Sequence, residues 1–305
     1  MNLVSRLLGT TPKPESRHRV FGDFAPYEGW AEAGFELGFY GLNIRDWLFT
    51  GESKGYDQRR VVHVGHPPVD EEYFEWIALL TSIAHARGRF CMAELGAGWG
   101  RWIASAAVLC RQRKIECSFI GVEAEPSRFE LMKMVLRDNG VNPDDHDLLQ
   151  AAVAERNGEV LLTGLEAARD LYGHKTIRAD EVTMYQNAPG YEIRRVPAYS
   201  LETICVHHEY VDLIDIDVQG AEYDSLAPAF DVLDWKVGMV HIGTHSRKIE
   251  RSLKSVFRAH GWLNAFSYPC HSETETRFGR VTFVDGVQTW VNPDRPDLLA
   301  ALVDT

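Results

Sequence analysis

Apolar and polar positions change rhythm repeatedly along the chain. Tyr73, Ile77, Leu80 and Ile83 recur at three- and four-residue spacing, Asp70 is placed to cap, and Glu71 and Glu72 suit a positive first turn. The pattern predicts a helix near residues 70–85. Residues 90–95 form a short apolar run closed by glycines, and residues 99–113 then have helical composition, which reads as strand, tight turn, helix. The same alternation predicts a strand over 117–122, a helix over 126–139 ending at Gly140, and a strand over 147–153. Further strands are expected at 211–218 and 237–242, with a helix over 248–260 before Gly261. Such alternation calls for an α/β fold with a mostly parallel sheet. Residues 262–268 and 280–284 read as strands joined without a helix, so an antiparallel C-terminal hairpin is expected on the sheet edge.

Two stretches break the rhythm. Residues 11–68 mix proline, glycine and aromatics with no sustained period, so residues 1–88 are expected to be an N-terminal extension, largely irregular, ahead of a domain spanning 89–305. The connection between the third and fourth strands is about 57 residues long, beyond an ordinary loop. Short strands at 158–163 and 193–197 leave 166–191 as a candidate lid.

Composition narrows the function classes. Hydrophobic residues make up 45%, with 8 Trp, 11 Tyr and 14 Phe, which excludes a mainly disordered chain. A net charge of −12 repels polyanions, so nucleic acid is not the expected partner. The cysteines Cys91, Cys110, Cys117, Cys205 and Cys270 are scattered and form no C-x-x-C pair, which predicts reduced thiols and a cytoplasmic protein. Nothing approaches eighteen consecutive apolar residues, so no membrane span is expected.

The turn after the first parallel strand carries the first candidate chemistry. Glu94-Leu95-Gly96-Ala97-Gly98-Trp99-Gly100 places glycines where a backbone must approach a nucleotide-like ligand closely, but its G-x-G-x-G spacing departs from the dinucleotide fingerprint. Glu94 would oppose a diphosphate and favour a cationic, amine-bearing ligand. Glu123, followed by Ala124, stands at the end of the second strand, where a carboxylate can accept both hydroxyls of a ribose. A ribose joined to a positively charged amino acid describes S-adenosylmethionine. The plainer alternative is a sharp turn and a solvated strand end.

The segment 92–125 resembles the first two motifs of class I methyltransferases. Asp212-Leu213-Ile214-Asp215-Ile216-Asp217-Val218-Gln219-Gly220-Ala221-Glu222 resembles the D-L-x-K-I-D-V-E-G-A-E signature of the FkbM family, and Tyr199-Ser200-Leu201-Glu202-Thr203-Ile204 resembles the segment that precedes it there. The resemblance implies a Rossmann-like fold and O-methylation of a hydroxyl on a sugar or natural product. Asp215 stands where the family usually has Lys, and Gln219 where it has Glu.

The fourth and fifth strand ends hold the candidates for acceptor chemistry. Asp217 and Glu222 follow the fourth strand, His241 and His245 flank Gly243 at the fifth, and an acid or imidazole there can take an acceptor's proton. Asp215, Asp217, His241 and His245 are equally a donor set for Mg or another divalent metal that would acidify a hydroxyl. Singly, each is better explained as a hydrogen-bonded structural residue, and only their clustering at predicted strand ends brings the functional reading level with it. Glu94, Gly96, Ala97, Gly98, Glu123, Ala124 and Asp215 are the expected cofactor contacts, with Ala151 and Ala152 walling the adenine. Trp99 and Trp102 read as core or pocket wall. Cys205, His207 and His208 resemble a metal cluster only in composition and read as surface. A nucleotide-linked oxidoreductase and a noncatalytic binding module on the same fold are the rival readings.

Overall fold

The computed structural model describes residues 17–165, 174–177, 181–186 and 191–303. Its centre is a seven-stranded sheet of β1 (Arg89–Leu95), β2 (Glu116–Val122), β3 (Asp147–Leu149), β4 (Leu213–Ile216), β5 (Met239–Thr244), β6 (Leu263–Tyr268) and β7 (Gly286–Val291). The strands lie in the order β6-β7-β5-β4-β1-β2-β3, with β3 to β5 parallel and β7 antiparallel to both its neighbours. Among the flanking helices are α1 (Tyr73–Ala84), α2 (Arg101–Arg113), α3 (Pro126–Asp138) and α4 (Arg247–Ala259). The expected Rossmann-like α/β architecture is therefore present, with its helices on both faces.

Each face buries its own core. Ile77, Leu80, Ile103, Leu136 and Phe119 are among the side chains filling one, while Ile120, Leu226, Phe230, Leu253 and Phe257 help to fill the other. Strands covered on both sides need near-continuous apolar runs, which is why β1, β2, β4 and β5 were readable. In α1 the first helical residue is Tyr73, whose N–H donates to the Asp70 carbonyl at 3.2 Å, and Glu72 occupies the cap position without a side-chain capping hydrogen bond.

Three expectations change in detail. The run 147–153 divides, because Ala151 N–H turns back to the carbonyls of Leu149 and Glu123; Asp147–Leu149 stays in the central sheet and Ala152–Val153 joins a second one. That second sheet is built in the long connection, in the order Lys175–Ile177, Gly158–Leu165, Tyr191–Tyr199, Ala152–Val153. At the C-terminus, Gly279–Phe283 pairs with Ser272–Thr276 outside the central sheet, and the antiparallel partner of β5 and β6 is β7. Gly279–Phe283 alternates between exposed and buried, whereas every residue of β7 is buried, including the polar Gln288 and Thr289 that disguised it.

The extension is more ordered than its aperiodic sequence predicts. Tyr27–Ala31 pairs with Arg60–Val64 and Phe35–Leu37 with Asn43–Arg45, strands too short to reveal a period. Phe21 stacks on Tyr73 at 5.0 Å and Tyr40 meets Trp76 at 5.5 Å, so the extension shares its core with α1. Of the candidate lid, residues 166–173, 178–180 and 187–190 lie outside the described residues. No helix among the described residues is long and apolar enough to cross a membrane.

Candidate active site

A cavity of about 640 Å3 opens at the C-terminal ends of β1, β2 and β4. Gly96, Ala97 and Gly98 form its floor, Glu123, Ala124, Ala151 and Ala152 one wall, and Asp215, Asp217, His241 and Asp285 the opposite side. Gly96 needs its freedom: its φ is +83°, and a Cβ there would stand 1.9 Å from the Asp217 carbonyl oxygen. The glycine turn and the end of β4 are thus in contact, as a shared ligand site requires. Trp99 and Trp102 are both buried and line the cavity, so the two readings offered for them hold together.

Glu123 is 6% exposed, and its oxygens accept the N–H groups of Gly98 and Glu125, each at 2.7 Å. Burial raises its pKa above the usual carboxylate value, against the pull of those donors and Arg128. Each oxygen retains a lone pair for a hydroxyl donor. Glu94 is arranged differently: its oxygens accept from Trp102 N–H at 3.1 Å and Ile103 N–H at 2.9 Å, so the carboxylate fastens the start of α2 under the glycine turn.

A polar row crosses the sheet beneath the cavity. Glu94, Asp215, His241 and Thr289 are direct neighbours on β1, β4, β5 and β7, and none is more than 5% exposed. Glu75 reaches the row from α1. Burial, with Asp217 nearby, pushes Asp215 up to about 8; burial and Asp215 raise Glu75 and Glu94 as well. His241 is driven down to about 3 by burial and stays neutral, its Nδ1 hydrogen-bonded to Thr289 Oγ1 at 2.9 Å.

Nearer the mouth stands a second group. His245 Nδ1 is 2.8 Å from Glu222 Oε1 and its Nε2 is 3.3 Å from Asp217 Oδ1, with Asp285 at 3.6 Å. Burial works against a charged ring, but the Glu222 hydrogen bond and the charges of Glu222, Asp217 and Asp285 carry His245 up to about 9. It is therefore an imidazolium at neutral pH. Gln219, in the left-handed region at φ +52°, donates from Nε2 to Asp217 Oδ1 at 2.9 Å.

These positions correct the expected metal set. Asp215, Asp217, His241 and His245 do not converge; Asp215 and His241 gather with Glu75, and Asp217 and His245 with Glu222. The reason is the two-residue step along β4, a distance that separates neighbours on one face. His208 is also less superficial than expected, because its Nε2 meets Asp147 at 2.8 Å and its Nδ1 lies 3.4 Å from Cys91 Sγ. Glu75, Arg101 and Asp285 line the cavity without having been singled out.

The profile of the Methyltransferase FkbM domain matches residues 91–269, which takes in β1 from Cys91 onward, β2, β4, β5 and both carboxylate clusters apart from Glu75. The chain belongs to the FkbM methyltransferase family. A protein of Jannaschia sp. (strain CCS1) named as a methyltransferase is 29% identical over 223 residues, covering 73% of this chain and 79% of that one. Among solved structures, FkbM from Methylobacillus flagellatus KT is similar at 13% identity over 72% of this chain and 50% of that chain, with a TM-score of 0.43. The precorrin-6Y C5,15-methyltransferase of Geobacter metallireducens GS-15 is similar at 11% identity over 74% and 90%, with a TM-score of 0.37. Membership of the FkbM family sets aside the oxidoreductase reading.

Proposed function

We propose that the cavity binds S-adenosylmethionine and that the protein methylates a hydroxyl of a sugar or natural-product acceptor. Bound there, the cofactor supplies an electrophilic methyl group. The residues present suit it: Glu123 offers carboxylate oxygens for a ribose, Ala151 and Ala152 give a flat apolar wall for adenine, and a Cβ at Gly98 would meet nothing within 4 Å, leaving open space above the turn.

Asp217 carries the reading. It faces the cavity with a half-exposed side chain, held by Gln219 Nε2 and lying 3.3 Å from His245 Nε2. A carboxylate fixed from two sides can take the acceptor's proton during attack, and the neighbouring imidazolium orients it. His245, being already protonated, serves as that orienting charge and not as the base, and Glu222 holds His245 in place.

The test is a screen of hydroxylated acceptors with methyl-labelled S-adenosylmethionine, after calorimetry has compared it with a nicotinamide dinucleotide. Asp217→Asn should lower kcat by roughly 10²–10⁴ while cofactor affinity stays within a few-fold. Full turnover in that variant would remove Asp217 as base. Tight cofactor binding with no turnover across the whole panel would favour the noncatalytic module instead.

A further inference from the structure

We propose that Glu75, Asp215 and His241 form a binding site for a divalent metal ion. One oxygen from each carboxylate and one ring nitrogen lie within 4.8 Å of one another, and all three residues line the cavity. Two carboxylates and one imidazole are an oxygen- and nitrogen-rich donor set that suits manganese, magnesium or zinc.

The orientation of His241 points to an ion independently of the acids. Its ring is 2% exposed, Nδ1 is held by Thr289 Oγ1 at 2.9 Å, and Nε2 has no hydrogen-bond partner among the described residues. A ring fixed through one nitrogen and open at the other on the cavity lining is the usual arrangement of a metal ligand and its outer support. Charge leads to the same place. Glu75, Glu94 and Asp215 stand together under the cavity, and the charge of Arg101, which pairs with Glu72 through both terminal nitrogens, acts on all three. Burial raises all three carboxyls, and a divalent ion seated among them would take the place of their protons.

The site is separate from the Asp217, Glu222 and His245 group, and its occupancy does not rest on which acceptor is methylated. An ion there would keep coordination positions open to the cavity, where a metal polarises a hydroxyl. Asp215 is also where the family signature usually has Lys, so this chain has exchanged a cation for an acid at the centre of the proposed site.

The full chain, stripped with chelator and dialysed, would be titrated with manganese by electron paramagnetic resonance and calorimetry, without cofactor. One saturable ion per chain is expected, with affinity reduced at least tenfold in His241→Gln and in Glu75→Gln and unchanged within threefold in His245→Gln. Cobalt substitution adds a second readout, since its visible spectrum should lose the imidazole contribution in His241→Gln. If that variant does not fold, Glu75→Gln, at a partly exposed position on the first turn of α1, decides alone. No saturable binding of manganese, magnesium or zinc overturns the proposal, as does binding lost in His245→Gln and kept in His241→Gln and Glu75→Gln. None of these readouts uses methyl transfer, so failure here leaves the proposed activity standing.

Discussion

His245 Nδ1 lies 2.8 Å from Oε1 of Glu222, a carboxylate with no exposed surface at all. The pair links the end of β5 to the helix Glu222–Leu226 and explains why burial fails to neutralise the ring. A folded-state pKa of about 9 against about 6.5 in the unfolded chain has a definite sign. The stabilisation is complete below about pH 6.5 and is lost as pH rises through about 9, an effect of up to about 3 kcal/mol. Denaturant melts at pH 6, 7.5 and 9.5 should show the decline, and Glu222→Gln should flatten it. A ring that titrates near 6.5 by NMR in the native protein would contradict the assignment.

Glu123 gives a second prediction. Glu123→Ala should weaken S-adenosylmethionine binding by about 1.5–3 kcal/mol, roughly ten- to a hundredfold, through loss of charge-assisted hydrogen bonds. The substitution also releases the N–H groups of Gly98 and Glu125, so melting temperature must be followed beside affinity. Glu123→Gln separates the two effects, since its amide oxygen still accepts one of those donors. Unaltered cofactor affinity in both variants, each folded, would mean the ribose lies elsewhere.

What the chain made legible was whatever depends on local pattern. The glycine turn, Glu123 at a strand end and the acids of β4 all follow from residues close in sequence, and their elements appeared within a few positions of expectation. What stayed hidden depends on sheet order. His241 and Thr289 are 48 residues apart, and nothing local says that β7 is inserted beside β5, so a row of four polar residues looked like four unrelated ones. Glu75 was hidden by a different route, because an acid inside an amphipathic helix is read as solvent-facing until the helix is docked. The charge on His245 likewise needs Asp285, forty residues on, to be brought beside it.

The two glycines of the turn should respond unequally to alanine. At Gly98 φ is +54° and a Cβ meets nothing within 4 Å, so Gly98→Ala should cost about 1–2 kcal/mol, the ordinary penalty of a left-handed residue. At Gly96 a Cβ would collide with the Asp217 backbone, which cannot move without breaking the contact between the turn and β4. Gly96→Ala should therefore lose several-fold more stability and bind no cofactor. Equal melting temperatures in the two variants would show that the turn and β4 are not in contact.

Glu94 tests whether an acid before a glycine turn grips the ligand or braces the helix. Its oxygens are occupied by Trp102 N–H and Ile103 N–H, so bracing is the geometric answer. In Glu94→Gln the amide oxygen can keep one donor, but its NH2 group must face the other, leaving a buried N–H unsatisfied at a cost of about 1–3 kcal/mol. Stability should fall by that amount while cofactor affinity, measured below the lowered melting temperature, changes less than about tenfold, under the 1.4 kcal/mol that a lost charge-assisted contact would exceed. The opposite result, a native melting temperature with a hundredfold weaker affinity, would place the Glu94 carboxylate on the cofactor's ammonium and make the helix contacts incidental.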